Sequence, residues 1–521
     1  MKSAKSALAV NRRGFVTGAV LGASAPALPA MAQFSTQNTN GGSAIKARQA
    51  PGVGPEDGGV TGLLSSHIVR VDYTQIDAKI LASLKLRLLD LIGCAIGGTR
   101  GEGMAALAAT VADSGKEGAS VLGTGRTASV REAAMANAVL ARAYDFEVMH
   151  VVVQDAQVPS HHSPTTVMSA LGLAEQTHAD GRAFVTALSV GDDLAARTLA
   201  ASGIDFNDGW DGAPLHSTMA AAAIAARFLG LDTEQTRQAL GMAADQLSGT
   251  VQSLWDGGGA WKVQQGTAAR NGIYSAELAK AGWSGMSDAL LAPCGFYRQY
   301  TPGCARPELL TADLGKIWYG ETYFKPWPSC AANHPTIESA IALRQRTGIA
   351  PADIEKVRIY VQPHVLKLFI AKPLRPGPSP HSQANFNLKF ACATALLRGN
   401  LRQDDYEPQA MADPALHDLM ARTELLALPT GQKGVIVEVT HKNGQISREA
   451  LPGRPRHYAD VDGTTSAEVE AKFRQQVAFA GNVPTTLADQ IVRRVAVIEQ
   501  EKDMASFVAL LAQATRFPKG R

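Results

Sequence analysis

The sequence predicts a mainly α protein: a large all-α helical domain, discontinuous in the chain, with a smaller α/β lid domain inserted towards its end. Three observations lead there. Apolar residues recur at spacings of three and four from about residue 65 to beyond residue 270, and no alternating run competes with them. Convincing alternation first appears in IEKVRIYVQP and KGVIVEVTHKNGQISRE. Helical periodicity then returns over 466–514, and a tail of that kind packs most naturally on the body the chain has left.

In chain order, the N-terminus reads MKSAKSALAVNRRGFVTGAVLGASAPALPAMAQ: basic residues, a weakly apolar run over 16–28, then the small residues Ala30 and Ala32. That is the layout of an export signal, here residues 1–32, with cleavage expected after Ala32. Arg12-Arg13 before Gly14-Phe15-Val16 resembles the twin-arginine type, which moves folded proteins across the bacterial inner membrane, so a periplasmic location is expected. The apolar run falls short of the roughly 20 residues that span a bilayer, and no membrane association is expected after cleavage. Residues 33–62 are rich in Gln, Asn, Gly and Pro without apolar periodicity and read as a disordered linker.

The body, expected over 63–317, opens with ILASLKLRLLDLIGCAIGG, where Leu84, Leu88, Leu91 and Ile92 share one helical stripe and Gly97-Gly98 form the stop. Helices follow over 106–114, 130–143, 166–177 and 183–201. In STMAAAAIAARFLGL the small side chains let backbones approach closely, and Gly230 supplies the stop. The segment GGGAWKVQQGTAARNGIYSAELAKAGWSG invites comparison with a phosphate loop, but no strand precedes it and the G-K-[ST] ending is missing. Lys262, at the mouth of its helix, is either a seat for a substrate carboxylate or a surface charge.

The lid is expected over 318–452. KPWPSCAANHPTIESAIALRQ leads into a helix, another is expected over 386–398, and Lys442-Asn443-Gly444 between the last two strands is a hairpin signal. Lys325 and His334 fall at the entry to the cleft between lid and body, a preferred place for ligands. Residues 453–521 return to the body.

Composition narrows the function. With 45% hydrophobic and 19% charged residues, a net charge of +3 and no basic run interleaved with aromatics, the composition of the 521-residue chain argues against a dedicated nucleic-acid or polyanion surface. Its five cysteines, Cys94, Cys294, Cys304, Cys330 and Cys392, form no C-x-x-C pair, which argues against an iron-sulfur cluster or structural zinc. They are expected as buried free thiols, with a Cys294 to Cys304 disulfide as the alternative in an oxidising compartment.

The chemistry concentrates in ARAYDFEVMHVVVQDAQVPSHHSPTTVMSALGLAE, where Asp145, Glu147, His150, Asp155, His161 and His162 lie close together. Pro159, Ser160, Ser163 and Pro164 interrupt any helix through its middle, so these acid/base groups sit on a loop and can face a cleft. A solvated polar loop is the alternative, since no spacing matches a metal or triad template.

These stretches together are similar to the MmgE/PrpD family, which includes 2-methylcitrate dehydratase and cis-aconitate decarboxylase. The resemblance rests on LDLIGCAIGG, NAVLARAYDFE, HHSPTTVMSALGLAE, WKVQQGTAARNGIYSAELAKAGWSG and FKPWPSCAANHP, and covers the chain from about residue 65 onward. It implies a homodimer of all-α bodies with α/β lids, and a site in which Asp145, His161, Lys262 and Lys325 are catalytic. The surrounding substrate positions are altered. Met149 stands for a threonine, Phe390 for a tyrosine, Arg142 for the histidine of A-H-x-x-D, and Asp211 for a further histidine, with His216 close enough to be that residue instead. His334 is the other binding candidate. The implied reaction is a cofactor-free and metal-free elimination of the hydro-lyase type on a small di- or tricarboxylate. His161 moves the proton, Asp145 orients it or shares the task, and the two lysines stabilise charge building on the substrate carboxylate. Alternatives are an isomerase or epimerase using the same abstraction, a decarboxylase, and an exported carboxylate-binding protein without turnover.

Overall fold

A computed structural model describes residues 56–111, 118–154, 156–204, 208–375, 379–452 and 464–518. The export signal, most of the expected linker, Asp155 and residues 453–463 lie outside the described residues. The described chain is mainly helical, and none of its helices is long and apolar enough to cross a membrane. The first helix, Gly59–Arg70, begins inside the span read as linker. Its buried face is Thr61, Leu64, Ser65 and Ile68, which keeps helical spacing but is half polar, so apolar periodicity alone missed it. Thr61 Oγ1 is satisfied by donating to Asp288 Oδ1 at 2.8 Å.

The body is built around the helix Trp261–Lys280, which packs against both Val130–Ala141 and the Ala-rich Gly212–Leu229. Two glycines set those distances. A Cβ on Gly266 would stand 2.6 Å from Met135 O, and one on Gly272 would stand 2.4 Å from Thr218 O and 2.6 Å from Ala221 Cβ. Backbones therefore touch where side chains usually would, and the ends of these helices are fixed relative to one another. The helices Ser163–Gln176 and Gly181–Ser202 complete the packing around Gly212–Leu229.

This part of the chain is not purely α. Strand β1, Ala119–Val121, pairs with β2, Arg126–Ala128, and β3, Val151–Val153, pairs with β4, Ala156–Val158. Strands of three residues are too short to carry a period-two signal. The second hairpin separates Asp145 from His161 in sequence and folds back so that His150 N–H donates to Ser160 O at 2.9 Å.

A four-stranded sheet follows, of β5 Ile354–Val361, β6 Thr423–Ala427, β7 Val435–His441 and β8 Ile446–Leu451, in the order β6-β5-β7-β8. Only β5 and β6 are parallel, with Ile359 facing Leu425 on one side and Val437 on the other. Ile354, Val357, Ile359 and Val361 form the buried face of β5, and the helix His334–Thr347 covers β7 and β8. Gly444 takes φ 84° at the turn from β7 to β8. The helix Leu388–Arg398 lies beside β6, a strand that the pattern TELLA did not reveal because its burial does not alternate. The C-terminal helix Ser466–Ala480 packs on Ala78–Gly98, and Met504–Ala514 on Ser163–Gln176. All five cysteines are free thiols, so no Cys294 to Cys304 bridge is present; Cys294 is exposed and Cys304 half-buried.

Gly272→Ala forces a methyl into the Thr218 carbonyl and is expected to cost about 1–3 kcal/mol, the range for overpacking a close-fitting core. Equilibrium denaturation measures it; an unchanged unfolding midpoint would mean the two helices have room to part.

Candidate active site

Val130–Ala141 ends at Arg142, whose N–H still donates to Ala138 O at 3.1 Å. The C-terminal end of a helix favours a cation. The chain then turns tightly, Asp145 N–H reaching Arg142 O at 3.2 Å, and Asp145 adopts φ 51°, a left-handed conformation that costs a non-glycine residue about 1–3 kcal/mol. The turn brings both acids back onto Arg142, whose Nη1 donates to Asp145 Oδ1 and to Glu147 Oε1. The guanidinium carbon lies 4.7 Å from the centroid of the Trp261 ring. Burial works against the charge on Arg142, but Glu147, Asp145 and Asp211 outweigh it and raise its pKa.

His161 comes from the other end of the loop. Its Nδ1 stands 2.8 Å from Glu147 Oε1, and the ring is 20% exposed where Glu147 is 0% exposed, so the imidazole is the part a ligand can reach. A carboxylate accepting at Nδ1 assigns the proton there and leaves Nε2 with its lone pair. Burial first, then Arg142 and Lys325, holds the His161 pKa well below the usual histidine value. The ring is therefore neutral at pH 7. Its neighbour points the opposite way: His162 Nδ1 is 2.9 Å from Ser160 Oγ and its Nε2 is 3.4 Å from Asp192 Oδ1, a carboxylate itself paired with Arg87. With His162 tied into the core, His161 is turned outward.

The two lysines differ. Lys325 is fully buried and occupied, 2.8 Å from Asp145 Oδ1 and donating to Asp145 O at 2.7 Å. Lys262, in the first turn of Trp261–Lys280, is buried with no hydrogen-bond partner for Nζ among the described residues. Burial lowers its pKa to about 8, with Glu102 opposing and Arg142 assisting, so it is mostly protonated at pH 7. A buried ammonium of this kind is chemically suited to pair with an anion.

Asp211 belongs to the same neighbourhood. It caps Gly212–Leu229 by accepting from Ala213 N–H at 3.1 Å, and burial raises its pKa while Arg142 lowers it. Four other candidates sit in packing. His216 lies one turn into that helix, edge-on to Phe296 at 4.8 Å, with burial lowering its pKa to about 3. His334 Nε2 is 3.0 Å from Ser329 O, with Trp327 across its ring. Met149 exchanges backbone hydrogen bonds with Tyr323 at 2.9 and 3.0 Å, and the two side chains pack together. Phe390 is buried with its ring 5.3 Å from Tyr406. Glu147 is the functional residue that the motif pattern did not single out. Its signal is the Asp-x-Glu spacing, which puts a second carboxylate two residues after Asp145 in the same loop.

Ligand atoms of Asp145, Glu147 and His161 lie within 4.8 Å of one another, a spacing that suits a metal ion. Arg142 Nη1 already contacts both carboxylates and stands 3.4 Å from His161 Nδ1, so their meeting point is filled by a guanidinium. A divalent ion would have to sit against that charge, and the donor set does not fit one.

Residues 63–307 match the MmgE/PrpD N-terminal domain and residues 327–496 the MmgE/PrpD C-terminal domain. A cis-aconitate decarboxylase-like protein of Aspergillus oryzae is 25% identical over 483 residues, 88% of this chain and 98% of that protein. The cis-aconitate decarboxylase of Aspergillus terreus is 27% identical over 322 residues, 58% of this chain and 64% of the relative. That of Homo sapiens is 23% identical over 310 residues, 56% of this chain and 60% of the relative.

The contrast between the lysines predicts opposite effects on stability. Lys325→Met strands the Asp145 carboxylate on one partner and is expected to cost about 3–5 kcal/mol, as for half of a buried ion pair. Lys262→Met removes a buried charge that has no hydrogen-bond partner and should leave stability unchanged or higher. Thermal melts of both variants decide it, and equal losses would show that Lys262 is also paired.

Proposed function

The chain belongs to the MmgE/PrpD family, and from that premise we propose that it is a lyase acting on a small di- or tricarboxylate, by removal of a proton next to a carboxylate and loss of water. The observation that carries this reading is a neutral imidazole, oriented by Glu147, in a site whose Arg142 shares the Trp261 ring with the buried ammonium of Lys262. One substrate carboxylate sits on Lys262. His161 Nε2 takes the proton from the adjacent carbon, and the charge that builds on the carboxylate is met by Lys262, with Arg142 behind it. As the double bond forms the C–O bond breaks, and the imidazolium returns the proton to the departing hydroxide, which leaves as water. Asp145, locked to Arg142 and Lys325, shapes the electrostatics of the site and leaves the proton to His161. Every step uses side chains of this chain, so the proposal includes no cofactor.

In the free enzyme the low pKa makes His161 a weak base. An anionic substrate moves that pKa up towards neutrality, because a nearby negative charge favours the imidazolium. The base is thus strengthened by the molecule it acts on. Loss of carbon dioxide in place of water is the second reading, favoured by the names of the relatives. We also infer a homodimer, from the family resemblance, and export to the periplasm, from the Arg12-Arg13 signal. The sheet-bearing segment contributes Lys325, and we propose that it works as the lid of the cleft.

The experiment is a panel of small carboxylic acids incubated with the protein in heavy water, following deuterium uptake, alkene absorbance and carbon dioxide. At least one acid should give alkene at an enzyme-like rate, and His161→Ala should lower that rate about a hundredfold or more. An acid that raises the melting temperature without exchange would make the protein a binder. Neither cis-aconitate nor 2-methylcitrate is expected to be turned over efficiently, because Arg142 and Asp211 replace histidines and redistribute the charge a substrate meets. On the best acid, kcat/KM should fall as pH rises through about 8, where Lys262 loses its proton. The acidic limb of kcat should lie at higher pH than that of kcat/KM, since bound anion raises the His161 pKa. Coincident acidic limbs would contradict the substrate-strengthened base.

A further inference from the structure

Behind the loop lies a buried ion pair that the proposed chemistry does not use. Lys472, on Ser466–Ala480, donates to Phe146 O at 2.6 Å, stands 2.7 Å from Asp90 Oδ1 and lies 4.1 Å from the centroid of the Phe146 ring. Asp90, in the middle of Ala78–Gly98, is fully buried and accepts from Val148 N–H. Phe146 and Val148 are the residues on either side of Glu147. One ion pair therefore holds the carbonyl before Glu147 and the amide after it, from two helices far apart in sequence. A buried pair of this kind adds little net stability, because desolvation offsets much of its attraction. What it fixes is geometry: with both flanking peptide groups anchored, the backbone at Glu147 is held where its carboxylate reaches Arg142 and His161.

We propose that Asp90 and Lys472 are positioning residues, which hold Glu147 in place so that His161 stays in the Nδ1–H tautomer with Nε2 free to act as base. The proposal rests on His161 as the base, so its first readout is one that needs no substrate. Histidine ring nitrogens report the tautomer directly by NMR, and the His161 signals are assigned by their loss in His161→Ala.

The test compares the whole protein, labelled with 15N-histidine, with the double variant Asp90→Asn/Lys472→Met, which replaces the pair by neutral groups of similar size and strands no charge. Wild type should show His161 as a single Nδ1–H tautomer. The double variant should melt close to wild type, keep its His162 signals, and show His161 in both tautomers. On an accepted acid, kcat should fall about tenfold to a hundredfold with little change in KM, the scale of a misplaced catalytic group. A purely structural pair predicts the reverse: restored stability with tautomer and kcat unchanged. That result, a folded double variant with His161 still wholly Nδ1–H, overturns the proposal. If the double variant does not fold, Lys472→Gln, whose head group falls short of Phe146 O, gives the same reading with the same two outcomes. A mixed tautomer in the variant, with wild-type protein inert on every acid, would leave the positioning role standing and remove the lyase reading.

Discussion

Arg142 is the contact on which the rest of the site depends. Two carboxylates this close together and this deeply buried repel each other, and the guanidinium between them offsets that repulsion. A guanidinium is the side chain that cannot release its own proton to settle the conflict. It also offers several donors in one plane, and here one nitrogen serves both acids while the flat face lies over Trp261. The strained φ at Asp145 becomes tolerable because the same cation that draws the acids inward stabilises the turn that places them.

The cations consequently divide their labour. Arg142 and Lys325 are spent inside the protein on Asp145 and Glu147, and they add to the burial that chiefly keeps His161 neutral. Lys262 Nζ keeps no hydrogen-bond partner among the described residues. This division follows from the packing of three helices, since Gly266 and Gly272 let Trp261–Lys280 lie against its neighbours at backbone distance. The first turn of that helix carries both Trp261 and Lys262, so the same close packing that builds the body sets the spacing between the guanidinium, the indole and the ammonium.

Much of this was legible from residue types alone, for reasons that also explain what was not. Most of the helices, and β5, β7 and β8, announced themselves because burial writes its period into the chain; Gly59–Arg70, whose buried face is half polar, did not. The strand β6 and the two short hairpins did not, being too short or too unevenly buried. The crowd of acids and histidines near residue 150 marked a loop on which Asp145, His161 and Lys325 lie near one another, while Lys262 shares the Trp261 ring with Arg142. Which partner each takes depends on contacts between segments far apart in sequence. Nothing local says that Lys325 is already paired while Lys262 is not, that Glu147 orients the imidazole, or that His216 faces Phe296 in the core.

The dependence of Phe146 on Lys472 also orders events in time. A chain emerging from the ribosome presents Asp145, Phe146 and Glu147 early, and the body helices around them can begin to pack as they appear. The lysine that closes the loop from behind arrives only with Ser466–Ala480, 326 residues after Phe146. Until then Asp90 has no counter-ion and the segment around Glu147 no anchor on that side. A nascent or truncated chain would thus carry all the acid/base groups and still lack the arrangement that makes them work together.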